Sequence, residues 1–395
     1  MIMAVVALAI DMMLPALGAM RSGFNLAEDS NALAPIVTFF FLGLALGQPF
    51  WGPLSDALGR KRILYAGLVV YTVSSVGAAF APSLGMLFTL RFIGGFGAAG
   101  SRVVAHGIVR DAYEGQTMAK VMSYIMAVFI AVPVIAPTLG SVVLAFGSWH
   151  LIFWVIAAFG IAVGLWSTRL PETLPAARRI PLDAGHLLAA TRTVLRSRFT
   201  MGLTLAQTAV FGFFASYLAS SQLIIDDIFD LDAWFPIILG GSAAIIGAGM
   251  LLNTRLLNIA PLRSLLRWVL IAYTASTFAF AAIALVTGGT PPFWLFLAGL
   301  MPILLSHALL IPNLNAAAMI PMGDVAGTAS AVIGTISILG GALVGAIIDV
   351  SYNGTIIPLA TAGALGCAIA FAFLLWADRV WDLAVEPATS ESRLK

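Results

Sequence analysis

Twelve apolar runs of about 20 residues, each closed by a short polar or Gly/Pro break, constrain this chain more than any other feature. A run of that length is what an α-helix needs to cross a hydrocarbon layer about 30 Å thick. The runs lie near 1–20, 33–55, 63–81, 84–108, 119–143, 148–168, 200–222, 234–252, 264–286, 292–318, 327–349 and 355–377. Composition agrees: of 395 residues, 61% are hydrophobic and 10% charged, against about 25% charged in a soluble domain. So few polar side chains cannot cover a water-facing surface, and lipid must be the solvent for most of the exterior. The expected fold class is therefore all-α integral membrane, with twelve transmembrane helices.

The order is six runs, a polar stretch and six more. Residues 169–199 contain Pro171, Glu172, Pro175, Arg178, Arg179, Pro181, Asp183, Arg192, Arg196 and Arg198. This divides the chain into an N-terminal six-helix bundle (1–168), a cytoplasmic linker (169–199), a C-terminal six-helix bundle (200–377) and a cytoplasmic tail (378–395). Much of 183–198 reads as an amphipathic surface helix. Orientation follows from Lys and Arg. The loops after the odd-numbered runs hold only Arg21; those after the even-numbered runs, with the tail, hold Arg60, Lys61, Arg62, Arg110, Lys120 and others. Both termini are expected in the cytoplasm, and the acidic loop with Asp226, Asp227, Asp230 and Asp232 on the outer face. The first run opens at Met1, which leaves room for an upstream piece.

Some classes fall away. One cysteine, Cys367, permits no disulfide within the chain, and four scattered histidines do not make a metal centre. No cofactor or nucleic-acid partner is expected. Asp226-Asp227-Ile228-Phe229-Asp230 fits the D-D-x-x-D spacing that chelates Mg²⁺ in diphosphate enzymes, but it has no second acidic motif and no basic residues beside it. A solvated loop explains it better, and the chain is not read as an enzyme.

Three groups of residues carry chemistry. Asp11 lies near the middle of the first run, where a carboxylate costs roughly 2.5–3.5 kcal/mol and taking up a proton relieves that cost. Arg91, in the fourth run, stays charged and needs an internal partner or a water-filled cavity; it is expected to act on Asp11 or to bind substrate. The turn after the second run reads Gly52-Pro53-Leu54-Ser55-Asp56-Ala57-Leu58-Gly59-Arg60-Lys61-Arg62. There Asp56, Arg60 and Asp111 are expected to form a charged latch across helix ends, with Gly52 and Gly59 permitting the turn.

That loop resembles the signature of the major facilitator superfamily, with Ala57 where a basic residue is usual. Asp11-Met12-Met13-Leu14-Pro15-Ala16-Leu17, Gln48, Arg102, Val109-Arg110-Asp111, Leu170-Pro171-Glu172-Thr173-Leu174 and Ala326-Gly327-Thr328-Ala329-Ser330-Ala331 are similar to its bicyclomycin and chloramphenicol resistance (Bcr/CflA) branch. The resemblance implies two pseudo-symmetric six-helix bundles in a bacterial inner membrane. It also implies proton-coupled antiport of small lipophilic drugs by a monomer, with Asp11 as the protonation site and Arg91 as its partner. The fifth-span antiporter signature retains Pro137 and Gly140, while Val132, Ala136 and Ser141 replace glycines. Phe39, Tyr124, Met126, Gln207, Phe211, Phe214, Tyr217 and Asn313 are the expected substrate-pocket residues. Export of a small metabolite (sugar, amino acid or organic acid) is the alternative reading.

Overall fold

The computed structural model of the protein describes residues 1–27, 30–113, 131–179 and 183–382. Its first span is broken. Helix α1 (Ala4–Asp11) stops, a 3-10 turn covers Leu14–Ala16, and α2 (Leu17–Gly23) resumes. Pro15 accounts for the break: it has no N–H to give the Asp11 carbonyl four residues back, and its ring crowds that carbonyl. The first half continues with α3 (Pro35–Leu58), α4 (Arg60–Ala78), α5 (Leu84–Ala112), α6 (Ala131–Ala145) and α7 (His150–Ser167).

Between the halves lies α8 (Ala184–Arg196), the amphipathic helix expected from the sequence, capped by Asp183 Oδ1, which accepts from the Gly185 N–H at 2.8 Å. The second half is α9 (Arg198–Phe229), α10 (Phe235–Leu256), α11 (Leu262–Val286), α12 (Phe293–Met319), α13 (Ala326–Val350) and α14 (Ile357–Asp378). Among the described residues ten segments, the first being Ala4–Gly23, are long and apolar enough to cross a membrane. Helix α4, whose first turn carries Arg60, Lys61 and Arg62, and the apolar α6 complete the twelve spans.

Packing repeats between the halves. Spans two and four (α3, α5), three and four (α4, α5), and three and six (α4, α7) pack together in the first half. Their counterparts six spans later, α10 with α12, α11 with α12, and α11 with α14, pack in the second. The seam repeats as well: α3 packs on α13, and the matching pair meets where Gly240 of α10 sits on the Val134 carbonyl of α6. In lipid no hydrophobic force drives helices together, so close backbone approach must supply contact. A Cβ at Gly43 would come within 1.9 Å of the Phe92 carbonyl oxygen, so α3 and α5 touch backbone to backbone there.

Exposure separates central from peripheral helices. The first span and α9 are 83% and 78% buried over their apolar windows, whereas α7, α11, α13 and α14 reach only 39% and α10 33%. The first span and α9 therefore face each other at the centre, and the others present side chains to lipid. Below, the end of the bundle holding the α3–α4 turn is the latch end, and the opposite end, where α2 leads toward α3 and α9 toward α10, is the rim.

Candidate functional site

At the latch end the chain turns at Gly59, whose φ of +104° a side chain rarely adopts. A Cβ there would also press to 2.6 Å from Glu172 Oε2. The turn presents Arg60, buried, to three acceptors. Its Nη1 lies 2.6 Å from Asp56 Oδ1 and donates to Ser55 Oγ at 2.7 Å; its Nε donates to Asp111 Oδ2 at 2.7 Å. Gly52 contributes its carbonyl, which accepts from Ser55 Oγ at 2.9 Å. The structure thus brings Asp56, Arg60 and Asp111 together.

A member that sequence reasoning did not place there is Glu172. Its carboxylate accepts from the backbone N–H groups of Arg60 (2.9 Å) and Lys61 (3.2 Å), while Lys61 Nζ donates to the carbonyls of Thr168 and Leu170. A carboxylate on the first N–H groups of α4 answers both their unmet hydrogen bonds and the helix dipole. It ties the start of the linker to the latch.

Asp11 is buried, at 8% exposure, where α1 ends. Its carboxyl lies within electrostatic reach of the Tyr217 phenol on α9, and Tyr217 in turn donates to Ser242 Oγ on α10 at 3.0 Å. Next to Asp11, the Met12 carbonyl is covered by Gly140, where a Cβ would come within 2.2 Å of that oxygen. Gly140 therefore lets α6 close on the break in the first span, and its partner in the signature, Pro137, lies one turn earlier on the same helix.

Arg91 does not pair with Asp11. Among the described residues no ion pair joins them. Instead the guanidinium lies 4.4 Å from the Phe40 ring centroid, and Nε donates to the Ile36 carbonyl at 3.4 Å. It borders a void of ≈10 Å³ lined also by Tyr71, Ser74, Ser75 and Phe153, room for about one water. Arg91 Nη2 is buried without a partner. The link to the first span runs through Tyr71, within electrostatic reach of Arg91, whose hydroxyl donates to the Val5 carbonyl of α1 at 3.3 Å. The phase of α5 turns Arg91 toward α3, α4 and α7, and nothing in one sequence reports that phase.

Of the pocket residues, Phe211 and Phe214 stand on α9, and Phe211 meets Phe41 of α3 edge-on at 5.3 Å, so this contact crosses between the halves. Phe214 stacks on His307 of α12 at 4.6 Å. Gln207 is buried with Oε1 unpartnered. Asn313 is bound to Asn253 through reciprocal amide bonds of 2.6 and 3.3 Å, so it joins α10 to α12. Phe39 stacks on Phe88 within the first half. Tyr124 and Met126 lie outside the described residues. His307 was overlooked because a lone histidine in an apolar run carries no spacing signal.

Two repeated bundles of membrane-spanning helices, facing each other along a seam that carries a buried carboxyl and aromatics, with a buried, unpartnered amide oxygen on α9, define a membrane transport protein. The Major Facilitator Superfamily pattern matches residues 1–345, and the chain belongs to that family. It is 29% identical over 360 residues to an uncharacterised transporter of this type, YdgK, from Bacillus subtilis, covering 89% of this chain and 87% of that one. It is 28% identical over 353 residues to a bicyclomycin resistance protein homologue of Haemophilus influenzae, with the same shares covered. Among solved structures, a D-xylose–proton symporter superposes with a TM-score of 0.74 at 14% identity, covering 94% of this chain and 96% of the other, and so shares the fold.

Proposed function

We propose that this transporter exports small lipophilic compounds across the bacterial inner membrane in exchange for protons, with its latch end in the cytoplasm and its rim outside. The observation that carries the reading is Asp11: a carboxyl buried at a break in the most enclosed span, facing the other half across the seam. Drug-resistance relatives support the substrate class. Asp11 takes a proton when the rim side is open and gives it up when the latch side is open. The break at Met12–Pro15 lets α1 and α2 move separately, so the surroundings of Asp11 change between the two states. Arg91 acts on the first span through Tyr71 and Val5 as a positioning residue, not as the ion partner of Asp11. Phe41, Phe211 and Phe214 supply the apolar wall across which a flat substrate lies.

The energy suffices. One charge moved across 100 mV is worth about 2.3 kcal/mol. At about 1.4 kcal/mol per tenfold, this sustains a gradient of roughly fortyfold per proton for a neutral substrate. The test is proton release from purified protein in weak buffer on adding chloramphenicol or ethidium, beside uptake into everted vesicles. Asp11→Asn is expected to abolish both the release and the uphill uptake. Release of full size in Asp11→Asn would place the coupling proton elsewhere, and uptake indifferent to a proton gradient would remove proton coupling altogether.

A further inference from the structure

A second buried carboxyl lies outside the site just described. Asp349, in the last turn of α13, is 5% exposed, and lies at the rim. One oxygen, Oδ1, accepts from Ser216 Oγ at 2.6 Å and from Ser220 Oγ at 2.8 Å, both on α9. The other, Oδ2, is buried with no partner. The same cluster reaches across the seam: Asn31, just before α3, donates through Nδ2 to the Asp349 backbone carbonyl at 2.7 Å and lies 3.4 Å from Ser220 Oγ. Among the described residues the groups bonded to the carboxyl are these two hydroxyls, both uncharged, with the Asn31 amide on the backbone carbonyl beside it. Charged groups of the rim, Arg21, Asp226 and Asp227, bond with Gln222, Tyr352 and one another.

A carboxylate has two equivalent acceptor oxygens, and stranding one of them in a dry site is costly. A protonated acid divides the work, with one oxygen accepting and the other carrying hydrogen. At Asp349 one oxygen accepts two bonds and the other has no partner, an arrangement that costs a neutral acid less than an anion. Losing the proton leaves charge on an oxygen that has no hydrogen-bond partner among the described residues. Water must then reach it, and the Asn31 contact across the seam is the bond that stands to give way.

We propose that Asp349 is a proton-binding group of the rim gate, which holds the two halves together at that end when protonated and lets them part when ionised. The proposal rests on alternating access by the transporter, and not on the identity of its substrate or on Asp11. In the exchange cycle, acid outside the cell then favours the rim-closed state, which is the state that must follow proton uptake from that side. The linkage has a fixed sign: the closed rim binds the proton more tightly, so lowering pH raises the rim-closed population.

The test measures the distance between spin labels at Ser22→Cys and Ala233→Cys, two exposed rim positions on opposite halves, with Cys367→Ser, in lipid nanodiscs from mildly alkaline to mildly acidic pH. Acid is expected to shift the population to the shorter distance. Asp349→Asn, which keeps an acceptor for the two serines, is expected to hold the short distance across this pH range. A pH response unchanged in Asp349→Asn overturns the proposal. So does closure brought about by sodium at constant pH, which would make the cluster a metal-cation site. Labelling of the unsubstituted protein by a hydrophobic carbodiimide, which adds to protonated carboxyls, gives a check that needs no variant. Mass spectrometry is expected to find the adduct on Asp349 at acidic pH and to lose it on the same titration as the distance change; no adduct at any pH overturns the assignment.

Discussion

The two ends of the molecule are built on different chemistry. At the latch end a cation, Arg60, is surrounded by Asp56, Asp111 and Ser55, and Glu172 caps the helix that Arg60 begins. All of these residues belong to the first half and the start of the linker. At the rim the bonds cross the seam: Arg21 of α2 donates to Gln222 of α9 at 3.1 Å, and Asn31 reaches Ser220 and Asp349. Apart from Arg21 and Asp226, which lie 3.8 Å apart, the hydrogen-bonding groups named here are neutral. A dense ionic network inside one half makes that half rigid, because removing any partner strands a buried charge. Neutral hydrogen bonds between halves exchange for water at little cost, about 0.5–1.5 kcal/mol each. The latch end therefore behaves as a strut and the rim as a clasp.

The largest expected effect comes from breaking the strut. Arg60→Ala leaves Asp111 and Asp56 facing each other without their cation. For the buried part of that network the loss is about 3 kcal/mol, discounted at the half-exposed Asp56. The expected outcome is a lower unfolding midpoint in detergent together with loss of drug export, and Arg60→Lys is expected to recover stability only in part because an ammonium cannot present the guanidinium's fork. Export unchanged in Arg60→Ala would show that the latch end is not a strut.

Next in size is Gly140→Val. Any Cβ at this position meets the Met12 carbonyl at 2.2 Å, and a branched side chain pushes α6 off the break in the first span. Export is expected to fall by an order of magnitude or more through displacement of Asp11, while Gly59→Ala, which strains the latch turn, is expected to act mainly on stability. If the two variants traded these phenotypes, the division between a rigid end and a moving end would fail.

Much of this was legible beforehand, for physical reasons. Apolar runs set the spans because a bilayer imposes one length on all of them. The latch was legible because Asp56 and Arg60 are neighbours along one turn and the glycine between them announces the conformation. Glu172 was named in the sequence only as part of a motif in the polar stretch, and its place is fixed by packing across more than a hundred residues. Arg91 announces itself as a charge in an apolar run, yet its direction depends on helix phase, and it faces Tyr71 where Asp11 was expected. Asp349 escaped notice for another reason. At the end of an apolar run an acid reads as the start of a loop, and only the serines of α9, facing it from another helix, show that it is enclosed.

The smallest effect is expected at Gln222, and it bears most directly on the clasp. Gln222 accepts from Arg21 across the seam and donates through Nε2 to Asp232 Oδ1 at 2.9 Å, at the start of the turn leading into α10. Gln222→Ala removes both bonds, but water at the rim reaches the freed partners and Arg21 retains Asp226 nearby. The stability cost is therefore expected to stay within about 1 kcal/mol. Its signature is conformational: a rim held by one bond fewer opens more readily, so the spin-label distance between Ser22→Cys and Ala233→Cys shifts toward the longer population while the unfolding midpoint barely moves. Glu172→Gln at the opposite end makes the control, since it weakens the cap on α4 by about 0.5–1 kcal/mol without touching a bond between the halves. It is expected to lower the midpoint slightly and leave that distance alone. A distance that lengthened equally in both variants would mean that the two ends move as one, and that strut and clasp are not separate devices.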